Sequence, residues 1–281
     1  MRIKIVVDST ADMRPEISAK VGIVPLSVQF GEKTYLSGVD ITSRQFYEML
    51  EVSEVLPTTS QPAPFLFEEA YEKAVSEGYE VICLTCSGRL SGTYQSANIA
   101  AAEFEGKVHV LDSNTIAIGL GILAEYAVGL AEQGLGVEEI LKKLTEQRER
   151  IKILALVDTL EYLKKGGRIS SAVALAGGLL NIKPVISVND GEIKVQGKAR
   201  GARQGFNLLN QEITKAGGID FTMPVMLGHT GTCDDQLQKY IQDNADVWAE
   251  HSGQVPVSVV GSVVGTHVGP GAVAVSFFAA E

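Results

Sequence analysis

The chain has few cysteines, no excess of basic residues and no long hydrophobic run. Three cysteines in 281 residues are too few for a disulfide framework. The 24 basic and 34 acidic residues give a net charge of −10, which disfavours a nucleic-acid binder because phosphates need a basic face. No apolar run reaches the roughly 20 residues that span a bilayer, so we expect no integral membrane segment. The first apolar run ends at Asp8, too early for a signal-peptide core. Together these features predict a cytoplasmic protein.

Glycine, by contrast, is abundant. The 29 glycines in 281 residues exceed the share of roughly 7% that is usual in proteins. Glycine lets a backbone approach a ligand closely, so the excess points to binding loops. The hydrophobic content of 45% and the charged content of 21% are typical of a folded protein.

Strands and helices alternate along the first half of the sequence. Continuous apolar runs at 3–7, 80–86 and 107–113 are separated or followed by helical stretches. Such runs are typical of parallel strands that are covered on both faces. The pair Gly31-Glu32 lies between two alternating segments and predicts a local antiparallel ribbon.

The pattern changes near residue 150. Several strand-like segments follow, and the Asn189-Asp190-Gly191 turn between two of them predicts a hairpin. We therefore predict an α/β protein with an N-terminal parallel-sheet βαβ domain at 1–150. A C-terminal α/β domain at 151–281 would have a mixed or mostly antiparallel sheet. The junction between the domains is where we expect a ligand tunnel.

Two loops rich in hydroxyl groups, 57–62 and 87–93, precede predicted helices. Hydroxyls together with the free N–H groups of a helix start can bind an anion, although the same residues can serve simply as helix caps. The second loop also follows a buried strand, which is where open α/β sheets place ligands. The candidate residues of the two loops are Thr59, Ser60, Ser91, Gly92 and Thr93.

A basic loop and one histidine stand out in the second half. The loop at 164–170 contains Lys165 and Arg168 beside paired glycines. It could attract an anionic ligand or an acidic partner, or be solvated surface charge. His267 has glycines on both sides within Gly265–Ala272, which indicates a backbone close to another group. A lone histidine is otherwise most often structural.

Two short motifs carry little weight. Gly119–Ala124 matches the GxGxxA dinucleotide pattern but does not directly follow a strand, so close helix packing explains the glycines better. Cys83 and Cys86 have CxxC spacing, yet no second ligand pair completes a zinc site. We therefore predict no metal site and no cofactor.

Six motifs occur in order along the chain: DST, TSQP, LSGTYQSA, LEYLKKGGRIS, LLNIKP and THVGPGA. In this set the sequence resembles the DegV family of bacterial fatty-acid-binding proteins, from Asp8 to Phe277. The resemblance implies one long-chain fatty acid held in a tunnel between two α/β domains. It also implies that the hydroxyls of the TSQP and SGT motifs, at Thr59 and Ser91, hold the carboxylate, with His267 beside it.

The resemblance further implies a partner. Better-understood members of the family carry the acyl group for a bacterial fatty acid kinase, whose catalytic subunit brings ATP and Mg²⁺ to form an acyl phosphate for phospholipid synthesis. The chain itself would then be non-catalytic, with Lys165 and Arg168 near the head group and the kinase. Cys86 and Arg89 depart from the residues that the resemblance leads us to expect. We expect a small polar residue at the position of Cys86, and a less bulky residue of the tunnel wall at the position of Arg89.

Two other functions remain open from the residues. Ser91 could act as the nucleophile of an acyl hydrolase or transferase, with His267 as base and Asp8 or Asp112 as orienting group. The absence of a GxSxG motif around Ser91 counts against this interpretation. Alternatively, the basic loop could bind a phosphate-bearing metabolite.

Overall fold

The first half of the chain is built on a four-stranded parallel sheet. A computed structural model describes residues 2–170, 181–248 and 255–280. The sheet has the order β2-β1-β6-β7, with all neighbours parallel. Its strands are β1 (Arg2–Asp8), β2 (Gly22–Val24), β6 (Tyr79–Thr85) and β7 (Val108–Asp112). The parallel sheet predicted from the apolar runs is therefore present.

Helices cover both faces of this sheet. The first-half helices are α1 (Pro15–Ser18), α2 (Ser43–Val52), α3 (Pro64–Ser76), α4 (Thr93–Ala101), α5 (Ile118–Glu132) and α6 (Val137–Gln147). The helices α3 and α4 pack on one face, where Phe67 and Ala97 meet Val6. The helices α5 and α6 pack on the other, where Leu123 and Ile140 join Ile5. Burial on both sides explains why these strands are apolar throughout.

A small antiparallel ribbon projects from the parallel sheet. Its order is β4-β3-β5, from β3 (Ser27–Phe30), β4 (Lys33–Leu36) and β5 (Thr58–Ser60). Gly31 adopts a φ of 57° in the turn between β3 and β4, a conformation that glycine takes without strain. The pairing of β5 with β3 sets Thr59 opposite Val28, and so fixes the first hydroxyl loop.

The second half contains a six-stranded mixed sheet. Its strands are β8 (Ile151–Leu156), β9 (Ile182–Asn189), β10 (Glu192–Arg200), β11 (Met226–His229), β12 (Val257–Val259) and β13 (Val273–Phe278). The order is β10-β9-β8-β13-β11-β12, and only β11 and β12 are parallel neighbours. Asp190 and Gly191 both have positive φ, at 50° and 74°, as a tight hairpin requires.

The mixed sheet lies between two helical layers. The second-half helices are α7 (Glu161–Lys165), α8 (Gly201–Lys215), α9 (Asp235–Asp243), α10 (Ala245–Trp248) and α11 (Ser262–Val268). On one face, Phe206 and Tyr240 pack against Leu156. On the other face, Ala155 and Ala274 belong to the same core as the residues of α5. Helix α5 is thus buried between the two sheets.

The strands divide cleanly along the chain. Every strand of the parallel sheet ends before residue 113, and every described strand of the mixed sheet begins after residue 150. This partition supports a domain boundary at residue 150, which remains a proposal. Within the described ranges, no helix is both long and apolar enough to cross a bilayer. Residues 179 and 180, which open the LLNIKP motif, lie outside the described residues.

Two glycines at the start of α5, Gly119 and Gly121, are packing residues. A Cβ atom added to Gly121 would lie 1.9 Å from the carbonyl oxygen of Asp12, so no larger residue fits there without displacing the backbone. The loop that follows β1 thus sits directly on the second turn of α5. The GxGxxA spacing is explained by this close approach.

Candidate ligand-binding cavity

A cavity of about 430 Å³ lies between the mixed sheet and the loops that follow the strands of the parallel sheet. Both halves of the chain contribute to its walls, which are mostly aliphatic. The apolar lining includes Leu26, Ile118, Ile153, Ala155, Ile186, Val188, Val264 and Ala274. A cavity of this volume and character suits a ligand with a substantial apolar part.

A cluster of polar residues interrupts this apolar lining. We call Thr59, Gln61, Ser91, Arg168 and His267 the polar cluster; all five line the cavity. Ser60 and Gly92 also belong to the wall. Sequence analysis had singled out six of these seven residues. The structure therefore brings together two loops of the first half and two segments of the second.

The contact between Thr59 and His267 is the centre of the polar cluster. Thr59 lies on β5 and His267 in the last turn of α11, and Thr59 Oγ1 is 2.8 Å from His267 Nε2. The two glycines near His267 permit close packing. A Cβ at Gly265 would lie 2.5 Å from the Tyr47 hydroxyl, and one at Gly269 would lie 2.4 Å from the ring of Tyr162.

The His267 ring is held in its neutral form. Burial, together with the nearby Arg168 guanidinium, lowers the pKa of His267 to about 4, because both disfavour the imidazolium. Its Nδ1 atom is buried, has no hydrogen-bond partner in the described part of the chain and faces Gly166, where a Cβ would lie 2.1 Å from Nδ1. The ring therefore has room only because residue 166 lacks a side chain.

This environment determines which ring nitrogen carries the proton. A buried N–H with no acceptor is less well tolerated than a lone pair with no donor. We therefore assign the proton to Nε2, which donates to Thr59 Oγ1. A hydroxyl has one proton to donate, and in this arrangement the Thr59 proton is free to point at a ligand.

Within the second hydroxyl loop, Ser91 is held by contacts with Thr93. Ser91 Oγ lies 2.8 Å from Thr93 Oγ1 and accepts a hydrogen bond from the Thr93 N–H at 3.3 Å. Thr93 is fully buried and lies behind the wall rather than in it. Gly92 is in the wall, and a Cβ there would lie 2.0 Å from Gln61 Oε1. The Gln61 amide in turn donates to Ser96 Oγ at 3.0 Å.

The basic loop contributes one residue to the cavity. Arg168 is half-buried, and its guanidinium donates to the Leu90 carbonyl at 3.2 Å and to the Gly166 carbonyl at 2.6 Å. Its other N–H groups have no acceptor among the described residues, so they are available to an anion. Lys165 is exposed at the end of α7 and is not part of the wall.

The structure also shows where Arg89 and Cys86 lie, the two residues that depart from the family pattern. Arg89 is exposed and forms an ion pair with Glu192 at 3.0 Å, so it joins the loop before α4 to β10 and does not enter the cavity. Cys86 is buried in the wall. Burial raises the pKa of its thiol well above the ordinary range, which keeps it protonated and unreactive.

The residues considered for an acyl hydrolase lie in separate hydrogen-bonding networks. Ser91 bonds to Thr93, whereas His267 bonds to Thr59. The carboxylate of Asp8 accepts from Thr10 and from the Cys86 N–H. That of Asp112 accepts from the N–H groups of Gly88 and Asn114. In the described ranges no hydrogen bond joins Ser91, His267 and a carboxylate, so the geometry favours binding over nucleophilic catalysis.

Sequence reasoning passed over some residues of this region. Gln61 lies in the cavity wall, and its position between the two prolines of the TSQP loop was the available signal. Thr10 also lines the cavity. Among the residues that the structure describes, no three His, Cys, Asp or Glu side chains form a group that could hold a metal ion.

The fold and cavity define an α/β binding protein with an internal, largely apolar site that has a polar head-group region. The family model described as "Uncharacterised protein, DegV family COG1307" matches residues 2–280. A DegV domain-containing protein of Deinococcus radiodurans is 37% identical over 286 residues, covering 98% of each chain. This chain belongs to the DegV family.

Solved structures show the same fold. A DegV family protein from Thermus thermophilus, described by its fatty acid binding, is 32% identical with a TM-score of 0.88 and full coverage of both chains. The Fatty Acid Kinase (Fak) B3 protein of Streptococcus pneumoniae, loaded with linoleic acid, is 24% identical with a TM-score of 0.84 and the same coverage. At that identity, the second likeness concerns the fold alone.

Proposed function

We propose that the protein binds one long-chain fatty acid in the cavity, with the carboxylate at the polar cluster and the chain along the aliphatic walls. The observation that carries this proposal is the Thr59–His267 pair in a cavity whose walls are mostly aliphatic. The fatty acid binding described for the Thermus thermophilus relative supports it.

The chemistry of the ligand suits the two parts of the cavity. Each buried CH₂ group contributes about 0.8 kcal/mol, so the acyl chain of the ligand supplies most of the affinity. A buried carboxylate is unfavourable unless donors converge on it. Thr59, Ser91 and the unengaged N–H groups of Arg168 are such donors, with His267 orienting Thr59 and Thr93 orienting Ser91. The aliphatic walls favour an acyl chain over a phosphate-bearing metabolite.

We also propose that the carboxylate is presented to the catalytic subunit of a fatty acid kinase, which supplies ATP and Mg²⁺. The support is the family resemblance; the Streptococcus pneumoniae neighbour contributes only the shared fold. In this scheme the chain needs no catalytic group or cofactor of its own. Arg168 at the cavity and Lys165 on the surface nearby would face the kinase. The cytoplasmic location remains a prediction from the composition.

Blocking the cavity tests the binding proposal. Val264 lies in the wall, on α11, and is buried, whereas Val257 is 43% exposed on the edge strand β12. We expect Val264→Phe to weaken binding of a fluorescent fatty acid by at least tenfold, because the ring occupies ligand volume. Val257→Phe serves as the control and should bind like the parent protein. Unchanged binding by a correctly folded Val264→Phe protein would place the ligand elsewhere.

A further inference from the structure

The helix that carries His267 is anchored by side chains from the first half of the chain. At its start, the Tyr47 hydroxyl donates to the Val260 carbonyl at 2.9 Å. The Gly261 N–H donates to Asp12 Oδ1 at 2.8 Å, across 249 residues of sequence. The Ser262 hydroxyl donates to Ser37 Oγ at 2.8 Å. The position of α11, and with it that of His267, therefore depends on these anchors.

Asp12 connects α11 to a second wall element. Its own N–H donates to the Ala117 carbonyl at 3.3 Å, and its carbonyl oxygen lies against Gly121 of α5. Ala117 and Ile118, at the start of α5, line the cavity, as do Val264 and His267 of α11. Asp12 thus lies behind the wall where α5 and α11 converge.

The Asp12 carboxyl is poorly suited to carry a charge. It is 7% exposed, and its Oδ2 atom is buried with no hydrogen-bond partner among the residues that the structure describes. The pKa of Asp12 is raised to about 8, chiefly by burial; the Gly261 N–H lowers it and the nearby Asp8 raises it. Burial also raises the pKa of Asp8, although the three hydrogen bonds that its carboxylate accepts oppose the shift.

Among the residues that the structure describes, no basic side chain forms an ion pair with Asp12. The titratable or charged side chains around Asp12 are, by element, Asp8 on β1, Tyr47 on α2, His267 at the far end of α11, and the Arg14–Glu125 ion pair between the loop and α5. The pKa of Tyr47 is raised well above its ordinary value and that of His267 is lowered to about 4. Neither group therefore changes charge between about pH 6 and pH 9.5.

We propose that Asp12 is a positioning residue that couples proton binding to ligand retention: while its carboxyl is neutral, its buried contact with Gly261 at the start of α11 is kept, and ionisation loosens α11 because the gain in hydration of the carboxylate outweighs its stronger bond to the Gly261 N–H. The physical reason is linkage. A buried group that resists ionisation shifts the protein, once ionised, toward conformations in which that group is hydrated. For Asp12, hydration requires that the loop after β1 and the start of α11 separate. This inference rests on the proposed function only for its ligand readout.

The first measurement follows ligand release. The dissociation rate of a fluorescent fatty acid, cis-parinaric acid, is recorded from about pH 6 to pH 9.5 for the parent protein, Asp12→Asn and Tyr47→Phe. We expect the parent rate to rise roughly 5- to 100-fold across this range, as is typical of coupled sites, with its midpoint near the pKa of Asp12. Asp12→Asn should show no such rise. Tyr47→Phe, which removes an anchor whose hydroxyl does not ionise in this pH range, should keep the midpoint.

The second measurement needs no ligand. Hydrogen exchange of the Gly265 and Gly269 amides, both bonded within or at the end of α11, is compared between the parent and Asp12→Asn after correction for intrinsic exchange. We expect protection to fall with rising pH in the parent only. The parent profile remains informative even if Asp12→Asn folds poorly. A flat parent profile, or the same pH midpoint in Asp12→Asn, overturns the proposal. Absence of fatty acid binding alongside a pH-dependent exchange profile would instead refute the proposed function.

Discussion

Replacing Thr59 by valine removes one hydroxyl and changes little else. Valine matches threonine in shape and suits the β5 strand, so the fold should be kept. In our assignment, the Thr59 hydroxyl accepts from His267 Nε2 and donates to the ligand carboxylate. Thr58 lies next to it on the same strand but is exposed and outside the cavity wall, so Thr58→Val is the matched control.

The expected loss can be worked from the lost bond. A hydrogen bond to a charged group contributes about 1.5–3 kcal/mol, and each 1.4 kcal/mol corresponds to about a tenfold change in Kd. Thr59→Val should therefore raise the Kd for a long-chain fatty acid roughly 10- to 150-fold. The lower end applies if the freed His267 N–H turns to the carboxylate.

Fluorescence titration with cis-parinaric acid measures the effect directly, with circular dichroism confirming that each variant is folded. Thr58→Val should bind within about twofold of the parent, since a surface substitution has little effect. The reasoning would be refuted if Thr59→Val bound as tightly as the parent. Equal losses in both variants would show that the strand, and not the hydroxyl, matters.

Three further predictions concern the surroundings of His267. Gly166→Ala places a Cβ against His267 Nδ1 and should weaken fatty acid binding by at least fivefold in the same titration. Gly136→Ala, where a Cβ meets nothing within 4 Å, should not. The pKa of His267 is lowered in the folded protein. As the pH falls, the unfolded protein therefore binds a proton at His267 before the folded protein does. The contribution of His267 to stability should therefore fall by up to about 3 kcal/mol between about pH 6.5 and pH 4, measured as the difference in thermal unfolding between the parent and His267→Gln at each pH. Finally, Arg168→Ala should lower acyl phosphate formation in a reconstituted assay with a fatty acid kinase catalytic subunit, after correction for bound lipid. Equal rates would remove Arg168 from that role.

Local patterns predicted most of the fold. The uninterrupted apolar strands indicated a sheet covered on both faces, and the structure has helices on each side. The hairpins at Gly31 and at Asp190-Gly191 followed from residues that accept positive φ. The placement of α5 between two sheets is harder to predict from the sequence, although apolar residues occur on all sides of this helix.

The site depends on contacts that local patterns do not contain. Thr59 and His267 are 208 residues apart, and only the family resemblance suggested that they share a head-group site. Asp12 and Gly261 are separated even further, and nothing in the sequence near Asp12 marks it as part of a wall. Arg89 was ambiguous for the same reason, because its partner Glu192 lies in the second half of the chain. Pairings between distant segments are set by the tertiary fold.

Native mass spectrometry of the purified protein, followed by organic extraction and identification of the released lipid, shows whether the cavity holds a fatty acid. We predict one long-chain fatty acid per protein molecule, and a Val264→Phe protein that carries much less. Protein purified from lipid-rich cells that yields no fatty acid, and that takes up none when one is added, would contradict the account.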